Sequence, residues 1–346
     1  MFRLPKIDIQ TLPVTFVSSM NDFYLLKSGT LKRKDSSLIL ITEEKEISIP
    51  IEQVNMIFCF AELTLNKRVL ELLSKYQIGV MFFDYYGRLI GRFCPEFKQT
   101  GKVIIEQVSC YQSHSRRVEI ARTIQLASIE NMLSVMKYYH KKGLQVSEKI
   151  QEVEVIESRV AIASTVDEIL IHEAQIKKIY YGCFDQILKK TPFEFQKRTT
   201  SPPLNSVNSM MSFGYHLLYG MVLMLLDMSQ LTPDISYIHS DSVKGPGLHL
   251  DLADIYKPIF VDKLIFRLLR RGTFSVNDFE QNEAGVCLTR GAQKVFVTRF
   301  QEEMAEELEY SGRKMTRKSI IRNDIYRLQH YVVSDDTSLR FFHQKW

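Results

Sequence analysis

The spacing of apolar positions changes period once along this chain, near residue 100. Before that point the pattern is strand-like. Asp22 to Ser28, Ser37 to Thr42 and Lys45 to Ile49 are short runs of β-branched and aromatic residues, with turns expected at Ser28-Gly29 and Glu43-Glu44. Val69, Leu70, Leu73 and Tyr76 then recur at helical spacing, Ile78 to Phe83 returns to strand character, and Arg88 to Phe93 predicts one more strand. Phe97 to Gly101 reads as the exit from this β-rich module.

From Ser115 the period becomes helical. Val118 to Tyr139 is one long amphipathic run that Gly143 should stop, and a second helical stretch ends near Lys190. Pro192, Pro202 and Pro203 break the segment Thr191 to Asn205, after which Val207 to Leu226 predicts an apolar helix. Gly245-Pro246-Gly247 marks a turn, followed by helices around Ile259 to Arg271 and Ala292 to Leu308. The expected architecture is α+β: a β-rich domain over residues 1–100, a linker over 101–114 and a larger all-α domain over 115–346.

One acid disturbs the helical pattern. Val166, Ile169, Glu173, Ile176, Tyr180 and Phe184 are spaced three and four apart, the buried stripe of an amphipathic helix, with a glutamate in its middle. An isolated ionised group is too costly to bury, so a residue such as Glu173 normally pairs with a cation, binds a metal or stays protonated. The strongest chemistry downstream is Ile238-His239-Ser240-Asp241 followed by Leu250-Asp251-Leu252-Ala253-Asp254. On a helix, the spacing of three puts Asp251 and Asp254 on one face, where a divalent cation relieves their repulsion. Glu173, His239 and these aspartates would make a mixed carboxylate and imidazole site suited to magnesium or manganese and to phosphodiester chemistry. Plainer readings stand beside this one: the aspartates as acids of a first helical turn, His239 as a core histidine, Glu173 as half of an ion pair. Leu248, Leu250 and Leu252 would also fit a strand, in which case His249 competes with His239.

Composition excludes several classes. The 346 residues are 45% hydrophobic and 25% charged, as in a soluble globular protein of two domains. No run approaches the roughly 20 uninterrupted apolar residues of a spanning helix and no leader pattern opens the chain, so a cytoplasmic protein without a membrane partner is expected. The five cysteines are scattered, without a CxxC pair. His172-Glu173 opens like HExxH, but Ile176 stands where the second histidine is needed, and no GxxxxGK[ST], GxGxxG or GxSxG motif occurs. The net charge of +5 admits a nucleic-acid partner. Arg313, Lys314, Arg317, Lys318 and Arg322 cluster, as do Lys27, Lys32, Arg33 and Lys34, and Arg267, Arg270 and Arg271; each cluster is either a phosphate contact or a solvated face. Tyr180-Tyr181 and the Phe213, Tyr215, Tyr219 group offer rings for base stacking, or for the core.

Three segments resemble the CRISPR-associated integrase, the metal-dependent subunit that inserts new spacers in prokaryotic adaptive immunity. They are Glu173-Ala174 in its apolar helix, Pro202-Pro203-Leu204-Asn205-Ser206-Val207-Asn208 leading into Ser212-Phe213-Gly214-Tyr215, and His239 ahead of Asp251-Leu252-Ala253-Asp254-Ile255-Tyr256-Lys257-Pro258. Tyr24 to Gly29, the apolar segment before Gly79 and Phe83-Asp84 are similar to that family's β module. Ala174 departs from the glycine often found there, and the residues before Asn21 have no obvious counterpart.

The resemblance implies a β-sandwich-like amino-terminal domain, with dimerisation as its role, joined to a helical catalytic domain. It implies metal ligands Glu173, His239 and Asp254 for Mg2+ or Mn2+, with Asp251 a supporting catalytic acid. It also implies attack of a DNA 3′-hydroxyl on a phosphodiester, endonuclease action on branched DNA when water replaces that hydroxyl, and a homodimer working with a small second adaptation protein. Arg313, Lys314, Arg317 and Lys318 would then contact double-stranded protospacer and repeat DNA. Two rivals remain at this point: a non-catalytic DNA-binding scaffold, and a metal-dependent nuclease acting on branched DNA or RNA in repair.

Overall fold

The computed structural model describes residues 22–96, 100–239, 247–283, 285–310, 312–334 and 338–344. Residues 1–21, Ser240-Asp241 and Gly245-Pro246, all singled out above, lie outside them. The chain divides into two compact units, Met1–Glu96 and Phe97–Trp346, the first built on sheets and the second mainly on helices.

In the first unit, β1 (Asp22–Leu25), β2 (Gly29–Lys34), β3 (Ser37–Ile41), β4 (Glu46–Pro50), β5 (Met56–Cys59), β6 (Leu63–Leu65), β7 (Gly79–Phe83) and β8 (Leu89–Phe93) form two four-stranded sheets. Their orders are β1-β5-β7-β8 and β4-β3-β2-β6. β1, β5 and β7 run parallel, and β7 turns back antiparallel to β8. Leu31, Leu38, Leu40, Ile47 and Ile49 bury their side chains at alternate positions, the period that allows one face of a strand to be dry. Helix α1 (Lys67–Lys75) starts at Asn66, whose side chain accepts the Val69 N–H, and buries Val69, Leu72 and Leu73. Lys32, Arg33 and Lys34 lie at the exposed end of β2.

The second unit contains α2 (Gly101–Gln112), α3 (His114–Lys141), α4 (Ser147–Ile162), α5 (Val166–Tyr181), α6 (Phe184–Leu188), α7 (Ser206–Asp227), α8 (Leu248–Tyr256), α9 (Lys263–Arg270), α10 (Arg290–Ala305) and α11 (Arg317–Val333). The expected linker over 101–114 is instead mostly helix. α2 buries Val103, Gln107 and Cys110, and the Gln107 amide both donates to the Thr232 carbonyl and accepts from its N–H. A polar residue on the buried stripe hid that helix. Two hairpins also correct the all-α expectation: β9 (Phe279–Asn282) with β10 (Gly285–Leu288), and β11 (Glu307–Tyr310) with β12 (Arg313–Thr316). The helical run expected to reach Leu308 ends at Ala305, and Gly312, at φ 73°, supplies the left-handed position that leads into the return strand β12.

The stretch expected to run to Lys190 is three helices. Thr165 interrupts it by accepting the Glu168 N–H as the cap of α5. α7 is long and apolar enough to cross a membrane by length and composition, yet 83% of its most apolar window is buried inside the protein. Of the two readings of the aromatic groups, base stacking or core, the structure takes mostly the second: Phe213 packs edge-on against Phe296, and Tyr180 and Tyr215 donate to buried Asp262. That aspartate ends a π-helical segment, Lys257–Asp262, that separates α8 from α9.

Candidate metal centre

α5 delivers Glu173 as the apolar stripe requires. Ile169, Glu173, Ile176 and Tyr180 are its buried residues, and the glutamate is 5% exposed. α8 delivers Asp254, also buried, from its last turn. Pro258 cannot donate to the carbonyl of Asp254 four residues back; Ser128 Oγ on α3 does so instead, at 2.9 Å, and Asn131 Nδ2 bonds the next carbonyl, of Ile255, at 2.8 Å. Two polar side chains in the middle of a long helix thereby hold the end of α8.

His239 comes from the segment between α7 and α8, and Asp251 builds that segment. The Asp251 carboxylate is fully buried. Its Oδ2 accepts Ser236 Oγ at 2.7 Å, the Tyr237 N–H at 2.8 Å and the Ile238 N–H at 3.1 Å. Its Oδ1 accepts the His239 backbone N–H at 3.4 Å and meets His239 Nδ1 at 2.8 Å. A carboxylate surrounded by donors can only accept, so Nδ1 carries the proton and Nε2 is left with its lone pair. Gly247 permits this loop, since a Cβ there would stand 2.7 Å from Ser236 Cβ.

These elements converge. One ligand atom each from Glu173, His239 and Asp254 lies within 4.8 Å of the others. Asp251 stands behind the imidazole, in the position from which carboxylates commonly orient a ligating histidine. His249, the competing histidine on α8, packs its ring against Tyr219 and is outside the group, because Leu248–Tyr256 is a helix and not a strand.

Two ammonium groups complete the site, and the sequence pattern did not assign them. Lys177 Nζ is 2.5 Å from Glu173 Oε1 and 3.1 Å from Asp254 Oδ2, and Lys257 Nζ bonds Asp254 Oδ1. Lys257 also sits over the rings of Tyr215 and Tyr219, at 5.0 and 4.7 Å from their centroids. The available signal was positional: Lys177 follows Glu173 by four residues and Lys257 follows Asp254 by three, on the same helical faces. Burial pushes the Asp254 carboxyl up, but the two ammonium groups outweigh it and hold the acid well below the ordinary carboxylate range. Burial depresses Lys177, while Asp254 and Glu173 more than reverse this and raise it. The hydrogen bond to Asp251 raises His239 against the opposing effect of burial. Glu173 therefore has the ion-pair partner its burial demanded, and it also belongs to a donor set of two carboxylates and one imidazole that suits a divalent cation.

The expected phosphate contacts separate. Arg313 and Lys314 are exposed on β12. Arg317 is not: it is 6% exposed at the start of α11 and reaches Glu303 at 2.9 Å and Glu306 at 2.7 Å. Buried Glu303 also takes Arg267, so the arginines of two apparent clusters serve one interior acid. Arg317 is thereby withdrawn from the expected DNA contact; Lys318 beside it is half-buried.

The family model for CRISPR associated protein Cas1 matches residues 23–302. The CRISPR-associated endonuclease Cas1 2 of Thermodesulfovibrio yellowstonii is 33% identical over 316 residues, 90% of this chain and 96% of that protein. A namesake in Moorella thermoacetica is 34% identical over 322 residues, 92% of this chain and 97% of its own. The structure of a CAS1 protein from Thermotoga maritima matches 94% of this chain and 100% of that one with a TM-score of 0.82 at 31% identity. With a model match over most of its length and relatives this similar from end to end, the chain belongs to the CRISPR associated protein Cas1 family.

Proposed function

We propose that this protein is a metal-dependent DNA endonuclease and integrase that inserts new spacer DNA into a CRISPR array. The observation that carries the reading is the convergence of Glu173, His239 and Asp254 within 4.8 Å, in a chain whose relatives are named CRISPR-associated endonucleases. Glu173 and Asp254 would hold Mg2+ or Mn2+ through carboxylate oxygens and His239 through Nε2. When bound, the cation supplies Lewis-acid charge to a phosphodiester oxygen and offsets the repulsion between the two acids.

The chain's own groups do the rest. Asp251 keeps the His239 proton on Nδ1, and Lys257 maintains positive charge where an anionic backbone must approach. In integration the 3′-hydroxyl oxygen of an incoming DNA end bonds to phosphorus, and the displaced oxygen leaves with a proton as a new 3′ end. Water in the same role gives hydrolysis. In this reading the β-rich module of residues 1–100 forms a homodimer, the helical unit holds the chemistry, and a small second adaptation protein joins the assembly. Arg313, Lys314 and Lys318 touch DNA phosphates.

Purified protein supplied with Mn2+, a supercoiled plasmid and labelled DNA ends tests this. Label should join the plasmid with the wild type and be lost with Glu173→Ala and Asp254→Ala. Equal product from all three would defeat the catalytic assignment, and cutting without joining would assign the site to a nuclease of other biology.

A further inference from the structure

We propose that Lys177 is a positioning residue whose ammonium stands in for the divalent cation, holding Glu173 and Asp254 at ligand spacing until the metal displaces it. The inference rests on the metal-dependent reading above and goes beyond it by giving the cation-free site a defined structure. Glu173 and Asp254 arrive on separate helices, and both are nine-tenths or more buried. Two buried carboxylates repel strongly where water cannot screen them. Without a cation between them they would separate or take up protons, and the ligand set would be lost. Lys177 reaches an oxygen of each acid, at 2.5 and 3.1 Å, and so bridges the two helices.

The same geometry requires an exchange. Asp254 gives Oδ2 to Lys177 and Oδ1 to Lys257, so while both ammonium groups stay an incoming metal meets a positive charge at each of its oxygens. A carboxylate oxygen can ligate a metal and accept a hydrogen bond at once, but the Lys177 ammonium lies against both acids, where a divalent ion shared between them would have to sit, and the two positive charges repel there. Lys177 is the one placed to leave. It touches both prospective ligands, and its side chain is 28% exposed against 15% for Lys257, which two tyrosine rings also retain.

The test uses the full chain stripped with EDTA and then titrated with Mn2+. Lysines are acylated with a small amine reagent and Lys177 is followed by peptide mass spectrometry. Its labelling rate should rise severalfold when Mn2+ binds. Lys177→Met should lower the melting temperature in EDTA and tighten Mn2+ binding by about tenfold, as expected for removing one unit charge a few ångström from the ion. Lys177→Arg should restore the EDTA melting temperature. Mn2+ uptake with unchanged or reduced Lys177 labelling would overturn the proposal and leave the functional reading standing. Unaltered Mn2+ affinity in Lys177→Met would overturn it equally. Failure of the wild type to take up Mn2+ would overturn both.

Discussion

Asp251→Asn isolates what the acid behind the histidine contributes. The carboxylate accepts from Ser236, Tyr237 and Ile238 on one oxygen and from His239 twice on the other. An asparagine of the same shape keeps one oxygen, which three donors claim, so its NH2 group is turned toward His239. Two donors would then face each other at Nδ1. The imidazole relieves this by accepting at Nδ1 and moving its proton to Nε2, the atom proposed to hold the metal. The stability cost is the loss of charge from several hydrogen bonds and of the weak bond to the His239 backbone N–H, roughly 2–4 kcal/mol in sum. Metal affinity should fall about 10–100-fold, the range found when an outer carboxylate is removed from a histidine ligand.

Calorimetric titration of Mn2+ into the EDTA-stripped variant measures that loss, and nitrogen NMR of His239 reports which ring nitrogen carries the proton. Activity should fall less than in Asp254→Ala, which removes a proposed ligand itself. Wild-type affinity with the proton still on Nδ1 would refute the reasoning. A loss exceeding that of Asp254→Ala would make Asp251 a ligand.

Three further outcomes follow from buried and exposed charges. Alanine at Arg313, Lys314 and Lys318 should weaken DNA binding and flatten the slope of log affinity against log salt by about 0.9 for each phosphate left unneutralised, whereas Arg317→Ala should destabilise the fold by roughly 3 kcal/mol, since it strips a partner from buried Glu303. A flatter slope for Arg317→Ala at wild-type stability would contradict its assignment to the interior. Asp262 is pushed up to about 6 by burial, against the lowering effect of the Tyr215 and Tyr180 hydroxyls. The native state thus holds this proton more tightly than the unfolded chain, so Asp262 favours folding at low pH and its contribution is lost as pH rises from about 4 through about 6. Urea denaturation at pH 4.5 and 7 should therefore show Asp262→Asn losing less stability over that interval than the wild type, by up to about 2 kcal/mol; equal losses would refute it.

The parts of this site that were legible in the sequence are those where the backbone period and the chemistry disagree. Glu173 stood out because an acid replaced a residue the stripe required to be oily, and α5 buries it on that stripe. Asp251 and Asp254 showed as a pair because three residues along a helix return to one face. Their division of labour did not show. It depends on a loop whose N–H groups point at Asp251 and on a proline that leaves the Asp254 carbonyl to Ser128, both set by residues distant in sequence. The same limit explains Arg317, which reads as one more cation of a charged run until Glu303 is found beneath it.

Hydrophobic period also hid structure wherever polar side chains took over the role of apolar ones. α2 turns its buried face through Gln107, whose amide closes on the backbone of Thr232, so its stripe is too short in apolar residues to read as a helix. α3, whose helix the period did show from Val118 to Tyr139, also carries polar residues on its buried side, Ser128 and Asn131 in the middle of the helix. Those two residues lead back to the site, because hydroxyl and amide groups there bond the carbonyls at the end of α8. Replacing them with apolar residues of equal size would improve the apparent period of α3 and remove the donors that fix Asp254. The polar interruptions of α3 are therefore the positions at which that helix is committed to the site.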